Sequence, residues 1–431
     1  MKLKQALLHN TGWRVITMLF TFLNNIIIVR ILGVEASANF FYALAAFTLL
    51  STLLRIGLEN GIVYFVSTKP EKTKAITLLL LTVLLLQTVI TIIILNIYAK
   101  ELTGYSFFWC VVFIMSNVLV YYVSAFYQVK RMYISLNISA CIITLCQTIF
   151  LYYIYSSGTS FLQSSKAIKN ENDLMLMISG LGMLIQMIFL CIYFYRLHKH
   201  DLKLVAAKDS FTKSIFFYSL NNFCVTVLFF LVLRADLYFV EKYCNKIALG
   251  NYVQAAKIGQ MLLVFPGLIA GVIFPYTINA AEALAGKVAL LCRLLTTVYF
   301  AGFVLFLMIG PFLFPWLLGE DFNLMYGIFI ASFLGIYFLS ISLLLISYFE
   351  GINKQLIIIW ALLGTFVMMV VADYFLVPEH GYLAAAVVFS VANFLGVFIL
   401  LKRFRKLTLI NIIEIFSPKK TDWKFLKTFK F

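Results

Sequence analysis

The chain has 431 residues, 63% of them hydrophobic and only 12% charged, a balance that excludes a soluble globular domain and makes it an integral membrane protein. Its formal net charge of +16 would suit nucleic acid if the basic residues formed one face. They come instead in short runs between apolar stretches, which excludes a nucleic-acid partner and makes the charge a report of topology.

The first apolar stretch, from about Thr11 to Leu32, lacks the short core and small-residue cleavage pattern of a signal peptide and is read as a retained span. A helix needs about 20 residues to cross the hydrocarbon. Twelve segments qualify: 12–33, 38–66, 75–98, 105–127, 132–154, 174–197, 212–233, 247–277, 289–310, 326–349, 355–377 and 381–400. Continuous runs of this length exclude the alternating strands of a membrane barrel, so the fold class is an all-α polytopic membrane protein of twelve transmembrane helices. With the N-terminus placed in the cytoplasm, 25 of the 34 Lys and Arg residues fall on the inner side and six on the outer, with Arg30, Arg55 and Lys257 inside spans. That bias predicts both termini in the cytoplasm.

The loop from Tyr155 to Asp173, rich in Ser, Lys and Asn, reads as an outer connection. The connection at 198–211 is the longest inner one before the tail and predicts two six-helix bundles, residues 1–200 and 201–403. Six helices per half keep both halves in one orientation, the arithmetic of a parallel repeat. A weak parallel supports it: Arg30 closes the first span and Arg234 the seventh, and each precedes a Gly-to-aromatic turn, Gly33 to Phe40 and Gly250 to Tyr252. Residues 404–431 read as an amphipathic stretch, Phe404 to Phe416, and a basic end from Pro418. This tail suits either an anionic inner membrane surface or a solvated, topology-fixing role.

Charges inside spans carry the functional signal, because each needs a partner, water or a polar ligand. Arg55 and Glu59 are four residues apart on helix two, so they form a local ion pair or Arg55 faces a cavity and meets an anion. Lys257 has no acidic residue three or four positions away and lies about 15 Å deep, which predicts a wet cavity or a partner on another helix. Spaced cations suit a phosphate or pyrophosphate head group that leaves headgroup water while a lipid tail stays in the bilayer. Asn24, Asn25, Asn221 and Asn222, in the first helix of each half, line a sugar path or make ordinary interhelical hydrogen bonds. Pro266, Gly267, Gly271 and Pro275 predict a bend in helix eight and are the hinge candidates. Asp373 and Asp236 lie near the outer interface, as coupling residues or as solvated carboxylates. The seven cysteines are scattered without a CxxC, no metal site is expected, and the phosphate-binding loop of an ATPase is absent.

Three stretches carry a resemblance to a known family. The first is Gly12 to Gly33, ending IIIVRILG, with Phe40-Phe41-Tyr42. The second is Arg234-Ala-Asp236 with Ala248-Leu-Gly250-Asn-Tyr252-Val-Gln-Ala255, leading to Phe274-Pro275. The third is Leu317-Leu-Gly319-Glu-Asp-Phe322 with Tyr348-Phe-Glu-Gly351. In this order the chain resembles the polysaccharide transport family of the multidrug/oligosaccharidyl-lipid/polysaccharide exporter superfamily, the O-antigen and capsule repeat-unit flippases. The resemblance implies two pseudo-symmetric six-helix bundles arranged in a V around a cavity. It further implies translocation of undecaprenyl-pyrophosphate-linked oligosaccharide across the bacterial inner membrane by alternating access.

On those terms Arg55, Glu59 and Lys257 are cavity contacts, and Arg30, Arg234 and Asp236 organise an outer gate or lobe junction. The implied partners are the lipid-linked glycan, membrane lipids, and glycan polymerase and chain-length machinery. No catalytic residue and no cofactor is implied, and coupling is to proton, sodium or membrane potential. Two other readings stand beside it: a cation-coupled small-molecule or drug antiporter of the same superfamily, and a noncatalytic membrane scaffold for glycan assembly. A flippase of the lipid-linked peptidoglycan precursor fits less well, since members of that branch commonly carry two further helices.

Overall fold

The computed structural model describes residues 3–68, 73–98, 104–130, 132–157, 170–198 and 209–417. Among them the chain is helical apart from short connections and contains no β-strand. In lipid every backbone polar group must be satisfied within the chain, and runs of Leu, Ile, Phe and Val long enough to cross achieve this as helices. The helices are α1 (Leu3–Arg55), α2 (Leu58–Thr68), α3 (Thr73–Ile97), α4 (Phe107–Val129), α5 (Tyr133–Ser157), α6 (Glu171–His198) and α7 (Asp209–Tyr243). They continue as α8 (Lys246–Leu262), α9 (Val264–Leu318), α10 (Met325–Gly351), α11 (Gln355–Thr408) and α12 (Ile412–Phe416), with a 3-10 turn at Glu320–Phe322.

Ten stretches among the described residues are long and apolar enough to cross a membrane. Two of them, Gly12–Arg55 and Gln355–Thr408, run to 44 and 54 residues and are interrupted by glycines with non-helical backbone, Gly33 at φ 73° and Gly381 at φ 67°. At 1.5 Å per residue each is roughly twice the hydrocarbon thickness or more, so the expected segments merge in pairs there. Residues 158–169 of the expected outer connection 155–173, residues 199–208 of the inner connection 198–211, and the basic end from Pro418 lie outside the described residues.

Two compact units divide the chain, Met1–Val227 and Leu228–Phe431, with the division inside α7. In the first unit α1 packs on α4 and α5, and α4 on α6. Polar pins fix these contacts: Ser51 donates to Asn117 Oδ1 at 3.0 Å, and the Tyr127 hydroxyl to the Leu190 carbonyl at 2.9 Å. In the second unit α10 lies against both α9 and α11 around rings of Tyr299, Phe306, Phe314, Phe329 and Phe333.

One expectation about boundaries is corrected. The seventh span was expected to end at residue 233, yet α7 runs on to Tyr243, so Arg234 and Asp236 stand inside a helix. Both find polar partners on α8, which removes the reason for the helix to stop there. Near the hinge candidates, α8 gives way to α9 at Leu263, whose backbone keeps right-handed helical angles, φ −72° and ψ −15°. Pro266 has no N–H for the Leu262 carbonyl four residues earlier, and the Tyr299 hydroxyl takes that carbonyl at 3.1 Å. Within the stretch from Phe404 to Phe416, Phe404 is fully buried in the last turns of α11, and Leu409 ends that helix in the left-handed conformation at φ 62°.

Candidate functional site

In the first unit the site residues gather where the second membrane segment breaks. Ile56 and Gly57 have φ of 50° and 66°, so the helical ladder stops at Arg55 and restarts at Leu58. A β-branched residue with positive φ is rare and strained. The carbonyls freed by the break are taken up from other helices: Gln87 Nε2 donates to Leu54 O at 2.6 Å and the Tyr122 hydroxyl to Arg55 O at 3.3 Å.

The ion pair expected on one continuous helix instead spans this break. Arg55 Nη1 meets Glu59 Oε1 at 2.9 Å, Nη2 donates to Thr52 Oγ1 at 3.0 Å, and the guanidinium lies 3.7 Å from the centre of the Tyr121 ring. Glu59 sits in the first turn of α2, where the helix dipole favours a carboxylate. Arg55 Nε and Glu59 Oε2 are buried and without hydrogen-bond partners, so the cluster retains one donor and one acceptor for another group.

Asn24 and Asn25 are buried on α1, and Asn24 makes a long 3.5 Å contact to the Thr144 carbonyl of α5. That contact is of the interhelical kind. Arg30 is exposed, Asn221 is exposed, and Asn222 is buried.

The second unit gathers a denser cluster between α7, α8 and α11. Arg234 Nη2 donates to Gln260 Oε1 at 2.8 Å. Asp236 accepts the Tyr252 hydroxyl at 2.5 Å and the Leu237 N–H at 2.9 Å. Lys257 is half-buried, three residues before Gln260 and so on the same side of α8, and near enough to Arg234 for the two cations to repel. Asp373 of α11 is fully buried, neither of its oxygens has a hydrogen-bond partner, and its carboxyl lies near enough to Asp236 for the two to repel.

The expectation that Asp236 and Asp373 could be ordinary solvated carboxylates is therefore corrected: they are 3% and 0% exposed. Beside Asp236, Tyr252 and Gln260 lies a cavity of about 20 Å³, also lined by Ser332 of α10 and Phe389 of α11 and large enough for one water or small ion. Lys257 does not line it. Of the hinge candidates, Pro266 and Gly267 lie in the first turn of α9, while Gly271 and Pro275 lie farther along it.

Sequence reasoning missed Gln87, Tyr121, Tyr122, Tyr252, Gln260 and Tyr299. A polar or phenolic side chain inside an apolar run is the signal that points to them, because its hydrogen-bonding group must find a partner there.

The profile of the family described as polysaccharide biosynthesis protein matches residues 4–280. A comparison with curated proteins gives no match. Among solved structures, an inward-facing multidrug resistance MATE family transporter of the MOP superfamily superposes with a TM-score of 0.66 at 11% identity, covering 92% of this chain and 96% of the other. The lipid II flippase MurJ, in an inward closed conformation, gives 0.63 at 13% identity over 97% and 95%. A MOP superfamily transporter from Pyrococcus furiosus, described as having a binding pocket of reverse polarity, gives 0.67 at 13% identity over 94% and 96%. Identities this low speak for the fold alone. With most of its length matched, the chain belongs to the polysaccharide biosynthesis protein family and has the fold of the MOP superfamily.

Proposed function

We propose that the protein is a flippase that moves an undecaprenyl-pyrophosphate-linked oligosaccharide repeat unit, of the O-antigen or capsule kind, across the bacterial inner membrane by alternating access. One observation carries this reading. In each unit the second membrane helix, in the expected order, carries a cation shortly before a helix-breaking pair, Arg55 before the break at Ile56-Gly57 and Lys257 before Pro266-Gly267. Gly- or Pro-interrupted segments at corresponding places in two repeats are the usual mark of a transport site. Cations there match the diphosphate of the head group, which leaves water while the polyprenyl tail remains in lipid. A lipid II flippase shares the fold. Both termini are assigned to the cytoplasm, and the delivered units pass to glycan polymerase and chain-length machinery.

Reconstitution in liposomes tests the activity: the protein should move a pyrophosphate-linked oligosaccharide between leaflets, and no transfer of any matched lipid-glycan would refute it. The same assay decides the part of Arg55. Replacing a buried ion pair by apolar residues of similar volume is often neutral or stabilising. Arg55→Met/Glu59→Leu should therefore fold normally and slow transfer about tenfold or more, as expected for a lost charged contact. Unchanged transfer would make the pair purely structural.

Asp373 is assigned to coupling. A fully buried carboxyl without a donor is stable only when it holds a proton or a cation. Asp373→Asn should leave folding intact and make transfer indifferent to an imposed proton or sodium gradient. A variant that still responds to both gradients as the parent does would remove this role.

A further inference from the structure

We propose that the end of α11 and the short strap that follows it form a binding site for anionic phospholipid. The site is independent of the cargo reading and uses residues that play no part in it. Lys402, Arg403, Arg405 and Lys406 are all exposed on the last turns of α11, and Glu414 is the one acidic residue between Lys402 and Ser417. Leu409 then closes the helix with φ 62°, its N–H on the Arg405 carbonyl at 2.9 Å. Asn411 caps the single turn of α12, with the Ile413 N–H on its side-chain oxygen at 3.4 Å.

One side of the strap is fastened to α9. The fully buried Ile415 packs inward, and Arg293 Nη1, itself in a buried side chain, donates to the Glu414 carbonyl at 3.0 Å. The other side is open: Leu409 is 89% exposed and Ile413 69%.

Leu409 decides the occupant. The left-handed position after a helix is normally filled by Gly or Asn, since any other residue incurs a steric cost. A leucine there is strained, and in water its side chain would be exposed as well. Both features are explained if the strap lies in the plane of the interface with Leu409 and Ile413 seated at the acyl boundary. The four neighbouring cations then stand at headgroup level, where their charge is complementary to lipid phosphates with net negative charge. A helix C-terminus also favours cations through its dipole, and the experiment separates that role from lipid binding.

Full-length protein is equilibrated with mixed micelles of phosphatidylglycerol and phosphatidylcholine in equal amounts, and retained lipid is counted by native mass spectrometry. The parent should favour phosphatidylglycerol about tenfold or more, since each basic residue near the surface contributes about fivefold. Lys402→Gln/Arg403→Gln/Arg405→Gln/Lys406→Gln should bring the ratio close to one. Leu409→Asn/Ile413→Asn, which keeps every charge and removes no buried contact, should lower phosphatidylglycerol occupancy severalfold with an unchanged melting temperature. Equal retention of both lipids by the parent, or an undiminished preference in the fourfold variant, would overturn the proposal and leave the charges a topological and dipole role. Unchanged occupancy in Leu409→Asn/Ile413→Asn would overturn the in-plane seating.

Discussion

Lys257→Ala should lower the initial rate of pyrophosphate-linked oligosaccharide transfer in liposomes by about 10- to 100-fold, while Lys257→Arg keeps most of it. The size follows from a charge-assisted hydrogen bond, about 1.5–3 kcal/mol, at roughly tenfold per 1.4 kcal/mol. The place follows from α8. Lys257 shares a side with Gln260, one turn on, and Gln260 holds Arg234 through its side-chain carbonyl.

Two cations on neighbouring helices suit a diphosphate, whose two phosphates each accept charge-assisted hydrogen bonds. Arg234 remains in the alanine variant, so a residual rate is expected. Size-exclusion profile and melting temperature are measured on the same samples, so that a loss of folding is told apart from a loss of transport. Parent-like transfer by the alanine variant would remove Lys257 from the path and leave the activity itself untouched.

The two clusters also show which parts of the molecule were legible in the residues. A spacing of four left Arg55 and Glu59 as a local ion pair or Arg55 facing a cavity, and it brings the two side chains to 2.9 Å although the helix is broken between them. The carbonyl left without a helical donor ahead of Pro266 is readable from the residues because proline lacks an N–H, and the Tyr299 hydroxyl takes it. The break at Ile56-Gly57 was not, since an isolated glycine inside an apolar run reads as a tolerated helical residue.

What makes that break affordable is non-local: Gln87 and Tyr122, 33 and 67 residues from the carbonyls they take, lie on other helices. The same holds for Arg234-Ala-Asp236. Two charges, one and three residues past an expected helix end, stood outside the span, and only their partners 26 and 16 residues ahead, Gln260 and Tyr252, explain why the helix continues. Local pattern therefore located the spans and the charges. Long-range pairing decided which charges ended a span and which were buried within one.

Gly57→Ala is expected to destabilise the first unit by about 3 kcal/mol, the sum of a left-handed backbone that costs a non-glycine residue 1–2 kcal/mol and a steric overlap of similar size. Its φ is 66°, and an added Cβ would stand 2.5 Å from the Ser219 carbonyl oxygen and 2.9 Å from the Phe223 nitrogen of α7. These are backbone atoms, so no side-chain rotation relieves the overlap and α7 itself has to move. Ile56 already holds a strained φ of 50° beside it, which leaves little room to distribute the change.

The comparison is Gly12→Ala, at a position with nothing within 4 Å of the added carbon, where gaining a better helix former should be neutral or slightly stabilising. Thermal unfolding in detergent should put Gly57→Ala several degrees below the parent and Gly12→Ala at or just above it. Since the Arg55–Glu59 pair bridges the same break, a displaced α7 should also slow transfer in Gly57→Ala protein that remains folded. Parent-like melting in Gly57→Ala would mean that α7 does not approach the break this closely, and with it would go the argument that the interruption at Ile56-Gly57 is a built feature of the transport path.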